Sequence, residues 1–213
     1  MFSKVLIANR GEIALRVIRA CRELDLQTVA VYSEADRESL HVRFAADDVC
    51  IGPASARESY LKISRLIAAA EIAGADAIHP GYGFLAENAE FAETCAASGI
   101  TFIGPTPEQI RTMGNKAAAR ARMIEVGVPV VPGTPGPIED VDEALAFAVT
   151  VGFPIIIKAS AGGGGKGMRV ANDADEFARS FQMARSEALA AFANADVYVE
   201  KYLVGPRHVE IQI

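Results

Sequence analysis

The sequence has no tryptophan, only three histidines and three cysteines, and no apolar run long enough to cross a membrane. Cys21, Cys50 and Cys95 lie far apart without the spacing of metal ligands, which argues against a zinc site and indicates reduced thiols. Basic residues are also scarce, since 21 lysines and arginines face 27 acidic residues and the formal net charge is −6. We therefore predict a cytoplasmic protein that binds neither nucleic acid nor membranes, in which any anion binds at a local positive pocket.

Glycine, by contrast, is concentrated in one turn between two predicted strands. The strand over 153–160 carries Lys158, and a return strand begins at Met168. The turn between them contains Gly162, Gly163, Gly164, Gly165, Lys166 and Gly167. Without Cβ atoms, consecutive backbone N–H groups can converge on an anion, and the lysines add positive charge. The pattern predicts a phosphate-binding hairpin over a nucleotide, with a merely flexible linker as the alternative.

This turn does not match the other common phosphate loops. A Walker loop needs Ser or Thr after its lysine and then a helix, whereas Gly167 follows Lys166 here and a strand comes next. The turn after the first predicted strand contains only Gly11, so the dinucleotide fingerprint G-x-G-x-x-G is absent and NAD binding is disfavoured.

Alternating strands and helices in the first half predict a doubly wound parallel sheet. The predicted strands cover 4–8, 28–32, 48–51, 75–78 and 101–103, and the predicted helices cover 11–24, 60–73 and 87–97. On the first helix we place Arg16, Arg19 and Glu23 on a polar face, and Ile13, Val17, Ala20 and Leu24 on an apolar one. The predicted fold class of the chain is α/β.

The second half predicts a smaller α+β lid. Helices over 107–113 and 117–126 lead to a segment over 128–137 that is rich in proline and glycine, which indicates an interdomain hinge. The lid then comprises helix 141–151, strand 153–160, strand 168–171, helix 173–192 and strand 197–202. An alternating segment over 208–213 predicts one more strand, whose partner we expect in another domain or chain. The predicted domains are 1–113, a connecting helix and hinge at 114–133, the lid at 134–203, and the first strand of a truncated C-terminal domain at 204–213.

Five motifs spread over the whole chain identify a family. They are Asn9-Arg10-Gly11-Glu12-Ile13-Ala14, the stretch from His79 to Asn88, Met113-Gly114-Asn115-Lys116, Lys158 with 162–168, and 200–203 with 207–212. Together they resemble the biotin carboxylase component of biotin-dependent carboxylases such as acetyl-CoA carboxylase of fatty acid biosynthesis. That family belongs to the ATP-grasp ligases. The resemblance implies an N-terminal α/β domain, an ATP-grasp lid and a C-terminal ATP-grasp domain that is truncated here.

The resemblance also implies a reaction, which is the carboxylation of carrier-bound biotin by bicarbonate and ATP through carboxyphosphate. Lys116 and Lys158 would contact the phosphates, and Glu200 would accept a hydrogen bond from the exocyclic amine of adenine. The implied ATP-binding set is Lys116, Lys158, Gly162, Gly163, Gly164, Gly165, Lys166, Gly167, Met168, Glu200, Lys201, Leu203 and His208, with Lys201 contributing mainly its backbone. Tyr82 and Gly83 would line the biotin and bicarbonate side, although a rigid packing corner is the alternative.

The remaining implications concern partners and missing parts. Arg16, Arg19 and Glu23 would form a homodimer contact, and the partners would be a biotin carboxyl carrier protein and a carboxyltransferase. The cofactors would be ATP and Mg²⁺, or Mn²⁺. No catalytic residue or metal ligand is assignable in this chain, since the family's lie in the region that would follow Ile213, and we expect the chain alone to be inactive. The alternatives are a non-catalytic nucleotide-binding or dimerisation module and another ATP-grasp carboxylate ligase.

Overall fold

The computed structural model describes residues 2–160, 167–209 and 211, with the side chains of Lys116 and Ala117 left out. The chain separates into two compact units, one that comprises the residues up to Arg122 together with Ile211, and one that takes in the described residues from Met123 to Val209. The domain limits given above stay predictions, because the first boundary of this division falls inside a helix and does not coincide with any of them. No helix in the described ranges is both long and apolar enough to span a bilayer.

The first unit is built on a five-stranded sheet. Its strands are β1 (Lys4–Ile7), β2 (Gln27–Ser33), β3 (Asp47–Gly52), β4 (Ala77–His79) and β5 (Thr101–Phe102). Its helices are α1 (Gly11–Glu23), α2 (Leu40–Phe44), α3 (Ile63–Ala73), α4 (Ala89–Ala97) and α5 (Pro107–Gly114), while α6 (Lys116–Glu125) crosses the boundary between the units. The strand order is β3-β2-β1-β4-β5, and every pair is parallel. The predicted doubly wound parallel sheet is therefore confirmed.

Successive side chains of a strand point to opposite sides of the sheet, and helices pack on both sides, so both faces of this sheet are buried. Leu6 packs in one core cluster with residues of β2, β4, α3 and α4, while Val5 and Ile7 pack in another against α1. From β1 the chain adds β2 and then β3 on one side of the sheet, and it then adds β4 and β5 on the other side of β1. The carboxyl ends of β1 and β4 therefore flank a switch point, where doubly wound folds form their ligand crevices.

Helix α1 buries a different stripe from the predicted one. Its buried residues are Ala14, Val17, Ile18 and Cys21. The predicted apolar face was wrong at Ala20 and Leu24, which are exposed. Because an α-helix turns about 100° per residue, positions 14, 17, 18 and 21 lie along one side of α1. Only Val17 is shared with the predicted set. The polar face with Arg16, Arg19 and Glu23 is exposed.

The second unit is a three-stranded antiparallel sheet with two helices. Its elements are α7 (Val141–Val151), β6 (Ile155–Ala159), β7 (Met168–Ala171), α8 (Ala174–Phe192) and β8 (Val197–Lys201), and the strand order is β7-β6-β8. Both helices pack on one face of the sheet, where Phe177 and Phe181 of α8 contact the buried residues of β6 and β8. This arrangement is the α+β module that the sequence predicts.

The segment predicted as a hinge is partly ordered against β8. The backbone N–H of Lys201 donates to the carbonyl of Pro132 at 2.8 Å, and that of Thr134 donates to the carbonyl of Val199 at 2.9 Å. Ile138 also bridges to Val197. We call residues 132–138 the proline strap. Because it hydrogen-bonds along β8, this part of the predicted hinge is an edge of the second sheet.

The predicted strand over 208–213 is absent from its described residues. His208, Val209 and Ile211 have no strand conformation, and Val209 and Ile211 are 78% and 80% exposed. A strand is stable only when a neighbour accepts and donates its backbone hydrogen bonds, and no described strand pairs with this segment. Alternating side chains alone therefore did not produce a strand here.

Candidate functional site

One face of the second sheet is not covered by its helices and carries two opposite charges. Lys158 and Glu200 lie diagonally across β6 and β8, since the register pairs Lys158 with Tyr198 and Ile156 with Glu200. The Lys158 Nζ donates to the Glu200 Oε2 over 2.6 Å, and the two side chains are 38% and 26% exposed. The structure thus joins two residues that the sequence places 42 positions apart.

Apolar side chains surround this ion pair on the same face. The register places Met168 opposite Lys158 and Val170 opposite Ile156, so these residues share a side of the sheet. We call Ile156, Lys158, Met168, Val170, Tyr198 and Glu200 the open face. Met168 and Val170 are exposed, whereas Ile155 and Ile157 point the other way into the core. The open face therefore combines an apolar floor with one cation and one anion.

Gly167 closes the base of the glycine-rich turn. Its φ is +72°, and a Cβ placed on it would lie 2.9 Å from the Cβ of Ala159. Its carbonyl accepts the backbone N–H of Ala159 at 2.9 Å, which extends the pairing of β6 with β7. Only glycine fits this position without displacing β6. Gly162, Gly163, Gly164, Gly165, Lys166 and the side chain of Lys116 lie outside the described residues.

Other predicted nucleotide-binding residues are not on the open face. The Lys201 ammonium donates to the carbonyls of Gly152 and Phe153, both at 2.8 Å, and so caps the end of α7. Its side chain is thus structural, and because its backbone N–H donates to the carbonyl of Pro132, only its backbone carbonyl stays available for the predicted role. Leu203 is exposed just beyond the last strand, and His208 is exposed further along the chain.

At the switch point of the first unit, Asn9 holds a turn that follows β4. We call residues 79–84 the switch-point turn. Asn9 is only 3% exposed, and its Nδ2 donates to the carbonyls of Pro80 and Tyr82, both at 2.8 Å. Its Oδ1 accepts the backbone N–H of Arg10 at 2.9 Å. All polar atoms of this amide therefore have partners, and they join the end of β1 to the end of β4.

Two glycines shape the switch-point turn in different ways. Gly81 has a φ of +65°, and a Cβ on it would lie 2.9 Å from the Nδ2 of Asn9. Gly83 has a φ of +68°, but a Cβ there would meet nothing within 4 Å. The backbone N–H of Gly81 also donates to the Nδ1 of His79 at 3.0 Å, and burial lowers the pKa of that imidazole. Gly81 thus allows a close approach, whereas Gly83 only relieves backbone strain.

Arg10 ties the same turn to the end of β2. Its guanidinium lies 5.6 Å from the ring of Phe84 and 5.2 Å from that of Tyr60, and these two rings stack 5.0 Å apart. It also pairs with Asp36 at 3.1 Å. Asp36 accepts hydrogen bonds at 2.7 Å from the hydroxyls of Tyr60 and Ser33. Burial alone would raise the pKa of Asp36, but these donors outweigh it and hold the pKa below its ordinary value.

Tyr82 projects from this turn and contacts the start of α1. Its hydroxyl donates to the carboxylate of Glu12, and the side chain is 44% exposed. The hydrogen bond to Glu12 raises the pKa of the phenol. Three side chains of the first motif, those of Asn9, Arg10 and Glu12, therefore contact the turn. Sequence patterns assigned them no individual role, although three polar residues within four positions after a strand at a switch point were a usable signal.

Two further predicted features can be located. Arg16, Arg19 and Glu23 lie on the exposed face of α1, and the described residues offer them no ion-pair partner. In the part of the chain that the structure describes, no three His, Cys, Asp or Glu side chains gather as metal ligands.

Comparisons with known proteins match each half of the chain to a family model. Residues 1–110 match the family model "Biotin carboxylase, N-terminal domain", and residues 115–213 match "Carbamoyl-phosphate synthase L chain, ATP binding domain". A biotin carboxylase from Pseudomonas aeruginosa is 60% identical over 214 residues, covering all of this chain and 48% of the relative. The chain thus spans about half the length of the curated relatives it matches.

Solved structures agree in fold. The biotin carboxylase domain of a thermophilic 2-oxoglutarate carboxylase bound to bicarbonate matches with a TM-score of 0.85 and 46% identity, over 96% of this chain and 44% of that one. The corresponding domain dimer from Hydrogenobacter thermophilus, in complex with MgADP, ADP and bicarbonate, matches with a TM-score of 0.73 and 49% identity, over 96% of this chain and 45% of that one.

Proposed function

Because the chain belongs to the biotin carboxylase family, we propose that it forms the nucleotide-gripping part of an ATP-dependent ligase. The ligase carboxylates biotin with bicarbonate through carboxyphosphate, and the biotin is attached to a carrier protein. Bicarbonate and MgADP are bound in the related domain dimer, which supports this reaction class. The catalytic base and the metal ligands are proposed to lie in sequence that corresponds to the other half of the relatives.

The open face of the second sheet is the observation that carries this proposal. A nucleotide needs an apolar surface for its base, an acceptor for the exocyclic amine of adenine, and positive charge for its phosphates. Met168 and Val170 offer the first, Glu200 the second and Lys158 the third. When nucleotide binds, Lys158 exchanges its carboxylate partner for phosphate oxygens, and Glu200 becomes free to accept from adenine.

The other predicted residues join this site as proposals. The glycine-rich turn, with Lys166, closes over the phosphates, and Lys116 adds a second cation. The backbone of Lys201 and Leu203 reads the edge of the base, and His208 contacts the ribose or phosphates. Mg²⁺ or Mn²⁺ would neutralise phosphate charge when bound, but the described residues provide no ligand cluster for either ion and we derive no step through it.

Calorimetric titration of the chain with ATP tests the site. Lys158→Ala removes a charge-assisted contact to phosphate, so ATP affinity should fall roughly 10- to 100-fold. Lys62→Ala is a matched control, because Lys62 is an exposed lysine at the start of α3. Equal affinities for both variants and the parent would contradict the assignment of Lys158.

A second measurement tests the reaction itself. The complete gene product should hydrolyse ATP in a bicarbonate-dependent manner when free biotin is present. ATP binding without such turnover would favour a non-catalytic nucleotide-binding module instead.

The assembly completes the proposal. We propose a cytoplasmic homodimer that works with a biotin carrier and a carboxyltransferase. The exposed charges of Arg16, Arg19 and Glu23 supply reciprocal ion pairs across the two-fold axis. Tyr82 and Gly83 are proposed to contact biotin or bicarbonate. Charge reversal by Arg19→Glu should lower the sedimentation coefficient of the complete gene product, and an unchanged value would refute the contact.

A further inference from the structure

Helix α2 is attached to the first unit through one histidine. Among its five residues only His41 is buried, at 1% exposure, whereas the apolar side chains of Leu40 and Phe44 are exposed. The Nε2 of His41 lies 3.2 Å from the carbonyl oxygen of Val31 in β2. A helix this short has almost no stability of its own, so it depends on tertiary contacts. The attachment of α2 therefore depends on a side chain that is protonated at mildly acidic pH.

The contact with Val31 fixes the position of the imidazole proton. A carbonyl oxygen can only accept a hydrogen bond, so the Nε2 of His41 carries the hydrogen and Nδ1 carries none. Nδ1 is buried, and among the described residues it has no hydrogen-bond partner. Protonation would place a second N–H and a positive charge at this position. A buried charged donor without an acceptor is strongly unfavourable, so the attached helix holds neutral histidine.

The charges near the imidazole do not compensate a second proton. The titratable and charged groups on the elements around α2 are Arg10, Asp36, Glu38, Arg43, Arg22 of α1 and Tyr32 of β2. Asp36 and Arg10 act on the imidazole with opposite signs and pair with each other at 3.1 Å. Arg43 pairs with Glu38 at the surface, and Arg22 donates to a carbonyl of α2. The carboxylates near α2 are therefore already paired with arginines.

Proton linkage gives the direction of the pH effect. Burial lowers the pKa of His41 below its ordinary value of 6.5. A histidine with a lower pKa in the attached state than in the detached state contributes to attachment above the pKa of the detached state. That contribution is lost as the pH falls below this value. Attachment of α2 should thus be stronger at pH 7.5 than at pH 5.5.

We propose that α2 is an acid-sensitive segment, which detaches from β2 when His41 is protonated while the five-stranded sheet stays folded. Ala45, which follows α2 directly, packs on the core cluster that contains Cys21. Detachment should therefore uncover Cys21, which is buried in the attached state. The other buried cysteine, Cys95, belongs to the cluster on the opposite face of the sheet and should stay covered.

Thiol labelling measures this local opening. The chain is treated with dithiodipyridine, a disulfide that reacts with thiols at acidic pH, and peptide mass spectrometry gives the labelling rate of each cysteine. The exposed Cys50 is the reference for the pH dependence of the reaction itself. From pH 7.5 to pH 5.5, the rate of Cys21 relative to Cys50 should rise roughly 3- to 10-fold, since one proton site with a detached pKa of about 6.5 allows about 10-fold. The rate of Cys95 relative to Cys50 should not change.

Two variants assign the effect to one histidine. His41→Gln keeps an N–H donor for the carbonyl of Val31 but cannot be protonated, so its relative rate for Cys21 should not depend on pH. His208→Gln is the matched control, because His208 is an exposed histidine, and it should behave as the parent does.

Amide hydrogen exchange is a second measurement, and it needs no variant. After correction for the intrinsic pH dependence of exchange, the amides of α2 should exchange faster at pH 5.5 than at pH 7.5, and those of α3 should not. If His41→Gln does not fold, this measurement still decides, since acceleration confined to α2 supports the proposal and its absence refutes it.

The remaining outcomes are also decisive. A relative rate for Cys21 that is the same at both pH values in the parent would overturn the proposal. An equal rise for Cys95 would overturn it as well, because the unit would then be unfolding as a whole. A rise that persists in His41→Gln would exclude His41 as the group that is protonated.

Discussion

Replacing each glycine of the switch-point turn by alanine should have unequal effects. Gly81 and Gly83 have nearly the same positive φ, so alanine at either position costs about 1–2 kcal/mol of backbone strain. At Gly81 the new Cβ would also lie 2.9 Å from the Nδ2 of Asn9, a clash that adds about 1–3 kcal/mol. We therefore expect Gly81→Ala to lower the free energy of unfolding by about 2–5 kcal/mol and Gly83→Ala by about 1–2 kcal/mol.

Urea unfolding of the chain, followed by far-ultraviolet circular dichroism, measures both variants under one condition. Because Gly83→Ala carries the same strain without the close contacts, the difference between the variants isolates the approach to Asn9 and to Ile13, whose Cγ1 would lie 3.1 Å from the new Cβ. Asn9→Ser should narrow part of this difference in stability when combined with Gly81→Ala, since the shorter side chain removes the nearest of these atoms, Nδ2. Equal losses of stability in the two alanine variants would refute the reasoning about close approach.

Two other predictions concern single side chains. Burial lowers the pKa of His41, whose Nε2 contacts the carbonyl of Val31, so the fold favours the neutral imidazole. The contribution of His41 to the free energy of unfolding is therefore full above about pH 6.5 and decreases as the pH falls below that value. Urea midpoints at pH 7.5 and 5.5 should therefore differ more in the parent than in His41→Gln, and an equal difference would exclude His41 as the cause. Lys201→Met should lower the stability of the second unit by about 1–2 kcal/mol, because the carbonyls of Gly152 and Phe153 lose a charged donor. An unchanged thermal midpoint would contradict that capping role.

The regular parts of the fold could be predicted because they depend on local patterns. The strands and helices of both units follow apolar periodicity, and the parallel order follows from their alternation. The stripe on α1 was predicted less well, since an alanine fits a buried or an exposed position equally and Ala14 and Ala20 could not be distinguished by polarity. The proline strap was taken for a hinge because its pairing with β8 joins residues more than 60 positions apart.

The candidate sites show the same limit at the level of side chains. The sequence marked Lys158 and Glu200 separately through family motifs, but only the register of β6 and β8 shows that they form an ion pair. It marked Tyr82 without Glu12, Asn9 or Arg10, because those contacts exist only when β1 and β4 lie side by side. Long-range contacts of this kind leave no periodic trace in a single sequence.

The proline strap has a consequence for association between chains. An uncovered edge strand offers free backbone groups to the edge of another molecule, which is a common route to aggregation. The strap occupies the outer side of β8, and Pro132, Pro135 and Pro137 have no N–H with which to recruit a further strand. Among the described strands of the second sheet, β7 is therefore the edge at which an intruding strand could add. Mutations that detach the strap would leave β8 as a second unpaired edge strand. Such mutations should lower the solubility of the protein before they lower the stability of its core.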